Sequence, residues 1–259
     1  LIIMYKVILR SQLLVIALLI ASLSFAQEMQ EFKLSKSSGK IHIEGINGLE
    51  IEGYSGNEII ISTKSKSKEQ SERAAGLSAI NALGVKDNTG LGIAITTEGD
   101  EIKISTVKKN SGKFWMKVPQ NMAISFKHSS HSMGKLYIHG MKGEIETSLQ
   151  YGSVQVERVT GPLSINTVYG KIEAVLTNLN TQNPSSLYSV YGLVDVSLPS
   201  STKTDVHLTS QYGDMFTDFD IKVEANSKIS SSRVQGKING GGPELRINST
   251  YQSVYLRKG

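Results

Sequence analysis

The chain contains no cysteine. That excludes a disulfide framework, a zinc-thiolate site and a thiol nucleophile, and it leaves no lipobox cysteine for lipid attachment. Proline is nearly as scarce, with five residues in 259 against 24 glycines, which suits many tight turns and few linkers. Aromatic residues make up 7 % and hydrophobic residues 39 %, lean but sufficient for a globular core. A strong charge of one sign is also missing. Lysine and arginine number 28 against 23 acidic residues, a formal charge of +5 that falls to +3 without Lys6 and Arg10. The excess is spread along the chain, without the clustered basic face that nucleic-acid binding requires. The one dense run, Lys64, Lys66 and Lys68, is followed by Glu69 and Glu72 and reads as solvated surface.

Only one apolar run stands out, at residues 13–20, and it falls short of the ~20 residues a spanning helix needs. Lys6 and Arg10 precede it, and Ser24-Phe25-Ala26 places small residues at −3 and −1 of a cleavage site before Gln27. The pattern predicts a secretory signal peptide over 1–26. The mature chain is then exported, to the periplasm, the extracellular space or the cell surface, with no stable membrane insertion after cleavage.

Period-two alternation bounded by glycines predicts half-buried strands at 39–45 and 49–53, with a third isoleucine-rich strand at 58–61. A short helix is expected near 68–75, where Ser67 and Gln70 form a capping box and Gly76 ends the turn. Asp87-Asn88-Thr89-Gly90 is a turn signal. Further strands are expected at 93–96, 101–107, 114–118 and 122–128.

A repeat then takes over. Tyrosine–glycine pairs stand at Tyr151-Gly152, Tyr169-Gly170, Tyr191-Gly192 and Tyr212-Gly213, with degenerate copies at Met133-Gly134, Gln235-Gly236 and Tyr251-Gln252. The steps of 18, 18, 22, 21, 23 and 16 residues fall in the range of solenoid repeats. Positions +3 and +5 from each pair are apolar, as in Val154/Val156, Ile172/Ala174, Val194/Val196 and Val254/Leu256. Positions −6 and −4 form a second inward pair: Leu163/Ile165, Val206/Leu208 and Leu245/Ile247. Ser, Thr or Asn fills −3 and −2 in most copies. One such unit buries too few side chains to stand alone, so coils must stack at ~4.8 Å spacing to share a core. Arg257, Lys258 and Gly259 are expected to blunt the C-terminal edge of the stack.

The predicted fold is therefore all-β: a single-stranded parallel β-solenoid, helix- or roll-like, over 129–259. A strand-rich region over 27–128 carries the short helix and continues into the solenoid as one domain. An antiparallel sandwich is the rival, but two-residue Asn-Gly or Asp-Gly loops between the matched strands are missing.

The coil strings Tyr169-Gly170-Lys171-Ile172 and Tyr191-Gly192-Leu193-Val194-Asp195-Val196, the stretch from Thr217 to Ile221, the segment from Ala82 to Gly92, and the ending Ser253-Val254-Tyr255-Leu256-Arg257-Lys258 occur in an order that resembles the putative adhesin domain of secreted bacterial proteins. The resemblance covers roughly 31–258. It implies export, an all-β repeat fold and a role in surface attachment, and it brings no catalytic residues.

In a solenoid, equivalent positions stack. Tyr151, Tyr169, Tyr191, Tyr212 and Tyr251 are expected to form a column, either a strip that binds glycan or protein or a purely structural ladder. His128, His131 and His139 lie close in sequence but without helical spacing or a neighbouring carboxylate, so polar turns are a better reading than a metal site. Glu173 and Asp195, with Asp214, Asp218 and Asp220 further on, raise glycoside chemistry and calcium; solvated surface explains them more simply. The Gly-x-Ser-x-Gly elbow is absent, and 239–243 lacks the ending of a phosphate loop. The expected function is a non-enzymatic, cofactor-free binding surface for a glycan, matrix or protein partner. A periplasmic envelope-stress or signalling accessory and a solenoid carbohydrate-active enzyme are the alternatives.

Overall fold

The computed structural model describes residues 29–64, 73–108, 112–180, 183–223 and 232–259. In chain order the strands are β1 (Met29–Leu34), β2 (Lys40–Glu44), β3 (Leu49–Tyr54), β4 (Ile59–Lys64), β5 (Ile93–Glu98), β6 (Glu101–Thr106) and β7 (Phe114–Pro119). There follow β8 (Ala123–His128), β9 (Lys135–His139), β10 (Ile145–Leu149), β11 (Ser153–Val159), β12 (Leu163–Thr167), β13 (Ile172–Leu176), β14 (Ser185–Ser189) and β15 (Val194–Leu198). The last are β16 (Thr204–Ser210), β17 (Met215–Thr217), β18 (Lys222–Val223), β19 (Arg233–Ile238), β20 (Glu244–Ser249) and β21 (Val254–Lys258).

Alternating sequence becomes alternating burial. In β12, Leu163, Ile165 and Thr167 point inward while Ser164 and Asn166 face solvent, as a period of two requires. Each coil contributes one strand to each of two sheets, and the inner faces of both share a core that runs from Ile41 to Leu256. The inward pairs read from the repeat are all buried, Val154 with Val156 and Val254 with Leu256 among them.

Among the described residues eight coils stack in the spatial order β6–β7, β2–β3, β8–β9, β10–β11, β12–β13, β14–β15, β20–β21, β16–β17. Neighbouring coils pair in parallel, as in Val154↔Ile172 and Ile165↔Leu187. The sheets as a whole are mixed. At one end β4 lies antiparallel on β7 and β1 on β4, while β5 lies antiparallel on β6. At the other, β19 lies antiparallel on β16 and β18 on β19. A strictly parallel stack is thus corrected: an outermost coil presents open edges, and reversed strands cover those of β6, β7 and β16, while β17 ends its sheet.

Three further expectations change. Coils do not stack in sequence order, because β21 inserts between β15 and β17, and β20 between β14 and β16. Arg257 and Lys258 consequently lie on an interior strand and do not blunt an edge. Gln235-Gly236 is not a corner but part of β19, where Gly236 sits opposite Val206. Of the helix expected near 68–75, residues 68–72 lie outside the described residues; Arg73 is helical, and 74–76 form a turn with the Leu77 amide on the Ala74 carbonyl at 2.9 Å.

Candidate functional site

At Tyr169, Tyr191, Tyr212 and Tyr251 the corner is built by the hydroxyl two residues before the tyrosine; at Tyr151 that place is taken by the buried Leu149. Ser189 Oγ donates to the Gly170 carbonyl of the coil below at 2.8 Å and accepts the Gly192 amide of its own coil at 2.8 Å. Ser249 repeats this with Gly192 O at 3.0 Å and the Gln252 amide at 3.1 Å. Ser210 does so with Gln252 O at 2.9 Å and the Gly213 amide at 3.0 Å, and Thr167 with Gly152 O at 3.3 Å and the Gly170 amide at 3.1 Å. These hydroxyls are buried, so each satisfies two backbone groups that water does not reach. Glycine after the tyrosine answers a close approach between coils: a Cβ on Gly170 would collide with the Gly152 carbonyl oxygen.

With the corners locked in register, the five tyrosines stand in one column, in the order 151, 169, 191, 251, 212. Ring centroids are 5.1, 4.9, 4.6 and 5.1 Å apart and the ring planes deviate by 13°, 5°, 3° and 14°. His131 meets the outer side of Tyr151 edge-on at 6.5 Å. Tyr212 closes the other end and is 70 % exposed. Within the column the rings cover one another's faces, leaving their edges and hydroxyls to solvent. The neighbouring Tyr251, then loss of hydration and Tyr169, hold the Tyr191 phenol above the ordinary tyrosine range.

The remaining candidates separate. His128 is buried, stacked on Phe126 at 6.3 Å, with Nε2 at 2.8 Å from Asn47 Oδ1. Among the described residues its Nδ1 lacks a hydrogen bond of good geometry, and burial pushes its pKa down against a smaller raising influence of the Ser130 backbone. His131 belongs to the tyrosine column, and His139 stacks on Tyr137 at 5.0 Å. Among the described residues no group of three His, Asp or Glu is placed to hold a metal ion. Glu173 and Asp195 are cross-strand neighbours on β13 and β15, but each carries a cation. Lys171 Nζ is 2.7 Å from Glu173, and the Arg257 guanidinium grips both Asp195 oxygens at 2.8 and 2.9 Å. Asp218 accepts the Lys258 amide at 2.9 Å. These carboxylates are engaged in structure and present no free acid–base pair.

A second aromatic row escaped the sequence reading. Tyr255 and Phe216 stack at 5.2 Å on the outer face of β21 and β17, and the Arg257 guanidinium lies 5.0 Å over Tyr255. Both aromatics sit four residues after a column tyrosine, so the repeat register itself held the signal. Its use required knowing that these two coils are neighbours.

Fold and corner together define an all-β protein of stacked two-strand coils with an ordered aromatic edge. The family model Toastrack DUF4097 matches residues 21–252, and the chain belongs to that family. Among solved structures it is similar to a putative cell adhesion protein from Clostridium sporogenes, at 12 % identity over 90 % of this chain and 100 % of that one, with a TM-score of 0.42. It is also similar to a putative adhesin from Bacteroides fragilis, at 10 % identity over 90 % and 98 %, TM-score 0.35. A putative adhesin from Parabacteroides distasonis is similar at 10 % identity over 90 % and 98 %, TM-score 0.29. No curated protein matches the chain.

Proposed function

We propose that this is an exported, non-enzymatic binding protein that uses the tyrosine column to hold a surface glycan or protein. The observation that carries the reading is the single line of exposed ring edges and hydroxyls formed by Tyr151, Tyr169, Tyr191, Tyr251 and Tyr212. Tyrosine combines an apolar ring with a polar tip, which suits a surface that must be both adhesive and wettable. Because the ring faces cover one another, a partner meets the column edge-on, through hydroxyl hydrogen bonds and ring-edge contacts. Stacking of a sugar on a ring face is left to Tyr212. Export rests on the leader pattern of residues 1–26; among the described residues no helix is long and apolar enough to cross a membrane.

The test is the double variant Tyr169→Ser/Tyr191→Ser, assayed on a glycan array and on whole cells beside thermal unfolding. Lost binding with a retained melting temperature supports the proposal. A large fall in melting temperature with binding intact makes the column a structural ladder and removes it.

A further inference from the structure

Between β4 and β5 the chain forms a braced hairpin. Ile80 and Lys86 bridge antiparallel, the Asn81 amide donates to Val85 O at 3.1 Å, and the Asp87 amide to Ala79 O at 2.9 Å. Asn81 Oδ1 accepts the Leu83 and Val85 amides, each at 3.0 Å. Behind it, the Asp87 carboxylate accepts the amides of Thr89, Gly90 and Gly92 at 3.0, 2.9 and 2.8 Å. Asn88 ties the base to β5 through the amide and carbonyl of Ile95 at 2.9 and 2.8 Å. The turn's polar groups are thus largely satisfied from within.

Its side chains do the opposite of what the rest of the protein does. Leu77, Ile80 and Leu83 are 73 %, 61 % and 87 % exposed, and among the described residues every exposed leucine or isoleucine lies on this hairpin. Three large aliphatic groups within seven residues are an apolar patch that calls for a partner. Positive charge accompanies them. Lys86 stands opposite Ile80, Arg73 lies four residues before Leu77, and Lys108 packs its alkyl chain over Gly92 at the base. Among the described residues none of these three cations is ion-paired, and the local carboxylate, Asp87, is consumed by backbone amides.

We propose that this hairpin seats the protein on an anionic lipid bilayer, with Leu77, Ile80 and Leu83 entering the acyl boundary and Arg73, Lys86 and Lys108 meeting lipid phosphates. Asn81 Oδ1 and the Asp87 carboxylate together hold five backbone amides of the turn, which lowers the cost of seating it at the boundary between headgroups and acyl chains. Aliphatic tip plus cationic surround is the pairing that interfacial binding uses. Charge complementarity selects the lipid over a second copy of this chain, whose hairpin would bring the same three cations against one another.

The test exploits the absence of cysteine. Leu83→Cys, labelled with an environment-sensitive fluorophore, is titrated with vesicles of phosphatidylcholine alone and of phosphatidylcholine mixed with phosphatidylglycerol. A label at Ser148→Cys on the sheet face serves as the silent control. Emission is expected to rise at position 83 only, with the anionic vesicles, and to weaken as salt is added. In a flotation assay on unlabelled protein, Leu77→Ser/Leu83→Ser is expected to weaken partitioning about tenfold or more with the unfolding midpoint unchanged. Partitioning that is absent, or indifferent to the double variant, overturns the proposal. So does self-association of the unmodified protein that the same double variant abolishes, which would assign the patch to a second copy.

Discussion

Ser189→Ala removes a single oxygen from the corner ladder, and its cost follows from what that oxygen does. The side chain is fully buried, donates to Gly170 O at 2.8 Å and accepts the Gly192 amide at 2.8 Å. Alanine fits the space but leaves one carbonyl and one amide without that partner in a place closed to water. A stranded buried polar group costs about 1–3 kcal/mol, so the two together should lower stability by about 2–6 kcal/mol. That is a large fraction of the 5–15 kcal/mol typical of a domain. Equilibrium urea unfolding measures it directly, with an unchanged slope showing that the folded and unfolded states remain comparable. Two internal comparisons sharpen the test. Thr167→Val breaks a longer contact, 3.3 Å to Gly152 O, and should cost less than Ser189→Ala. Ser164→Ala changes an outward hydroxyl on β12 and should stay within about 0.5 kcal/mol of the parent. If Ser189→Ala behaves like Ser164→Ala, the hydroxyl ladder is not what fixes the corners.

Coil order is tested by paired cysteines: Tyr191→Cys/Tyr251→Cys lies on adjacent coils about 4.8 Å apart, whereas Tyr191→Cys/Tyr212→Cys skips a coil at about twice that. A short bifunctional thiol reagent should join the first pair and not the second, and the reverse outcome would restore sequence order. Gly170→Ala forces a methyl group against the Gly152 carbonyl oxygen and should cost about 1–3 kcal/mol or more as the coils separate, read as a lowered urea midpoint. His128 has its folded pKa depressed below the ordinary 6.5 by burial, so the unfolded chain takes up this proton first. Its contribution to stability is present above pH 6.5 and is lost as the pH falls below that value toward the folded pKa. His128→Gln should flatten this part of the pH–stability curve, and an unchanged curve would exclude His128 as its source.

The inward face of the molecule was legible because period-two alternation encodes it residue by residue. Val154, Val156, Ile172, Val194, Val254 and Leu256 were readable as core from their offset to the tyrosines, and they are buried. The column of five tyrosines followed from the same offset. Neighbour identity was not legible. The four coils with Tyr169, Tyr191, Tyr212 and Tyr251 offer the same corner, inward apolar positions and hydroxyl, so any of them matches any other. Ser210 could donate to Gly192 as well as to Gln252; the structure gives Gly192 to Ser249. Gln235-Gly236 misled for a related reason. A glycine after a polar residue reads as a corner, yet Gly236 is needed where β19 passes close to the Lys222 carbonyl of β18. The end caps escaped notice because antiparallel strands and parallel coils share one periodicity, and only turn geometry separates them.

The two ends of the stack solve the edge problem by related means, with β4 and β5 covering both strands of one outermost coil and β19 covering β16 of the other, whose β17 ends its sheet. Between β3 and β8 the chain makes an excursion that builds the outermost coil, β6–β7, together with the antiparallel β4 and β5, and β1 from the start of the described chain adds to β4. Between β15 and β20 a second excursion builds the opposite outermost coil, β16–β17, with β19 and β18. In each case the coil next inward is one that sequence order would place elsewhere: β2–β3 at one end, β20–β21 at the other. Until β20 and β21 are in place, β14 and β15 show edges that β16 and β17 match in pattern. The contacts special to the inserted coil lie at the surface: the Arg257–Asp195 pair, the Tyr188 hydroxyl at 3.0 Å from Thr250 Oγ1, the Tyr255–Phe216 stack at 5.2 Å, and His207 Nε2 at 3.1 Å from Glu244. An exposed ion pair contributes about 0–1 kcal/mol, too little to choose the order alone. What separates the arrangements is how many edges stay open. Direct docking of β16–β17 on β14–β15 would leave β21 only the outer edge of β17 and β20 only that of the two-residue β18, whereas insertion pairs both on each side. Selection of coil order therefore belongs to the completed stack rather than to any local contact.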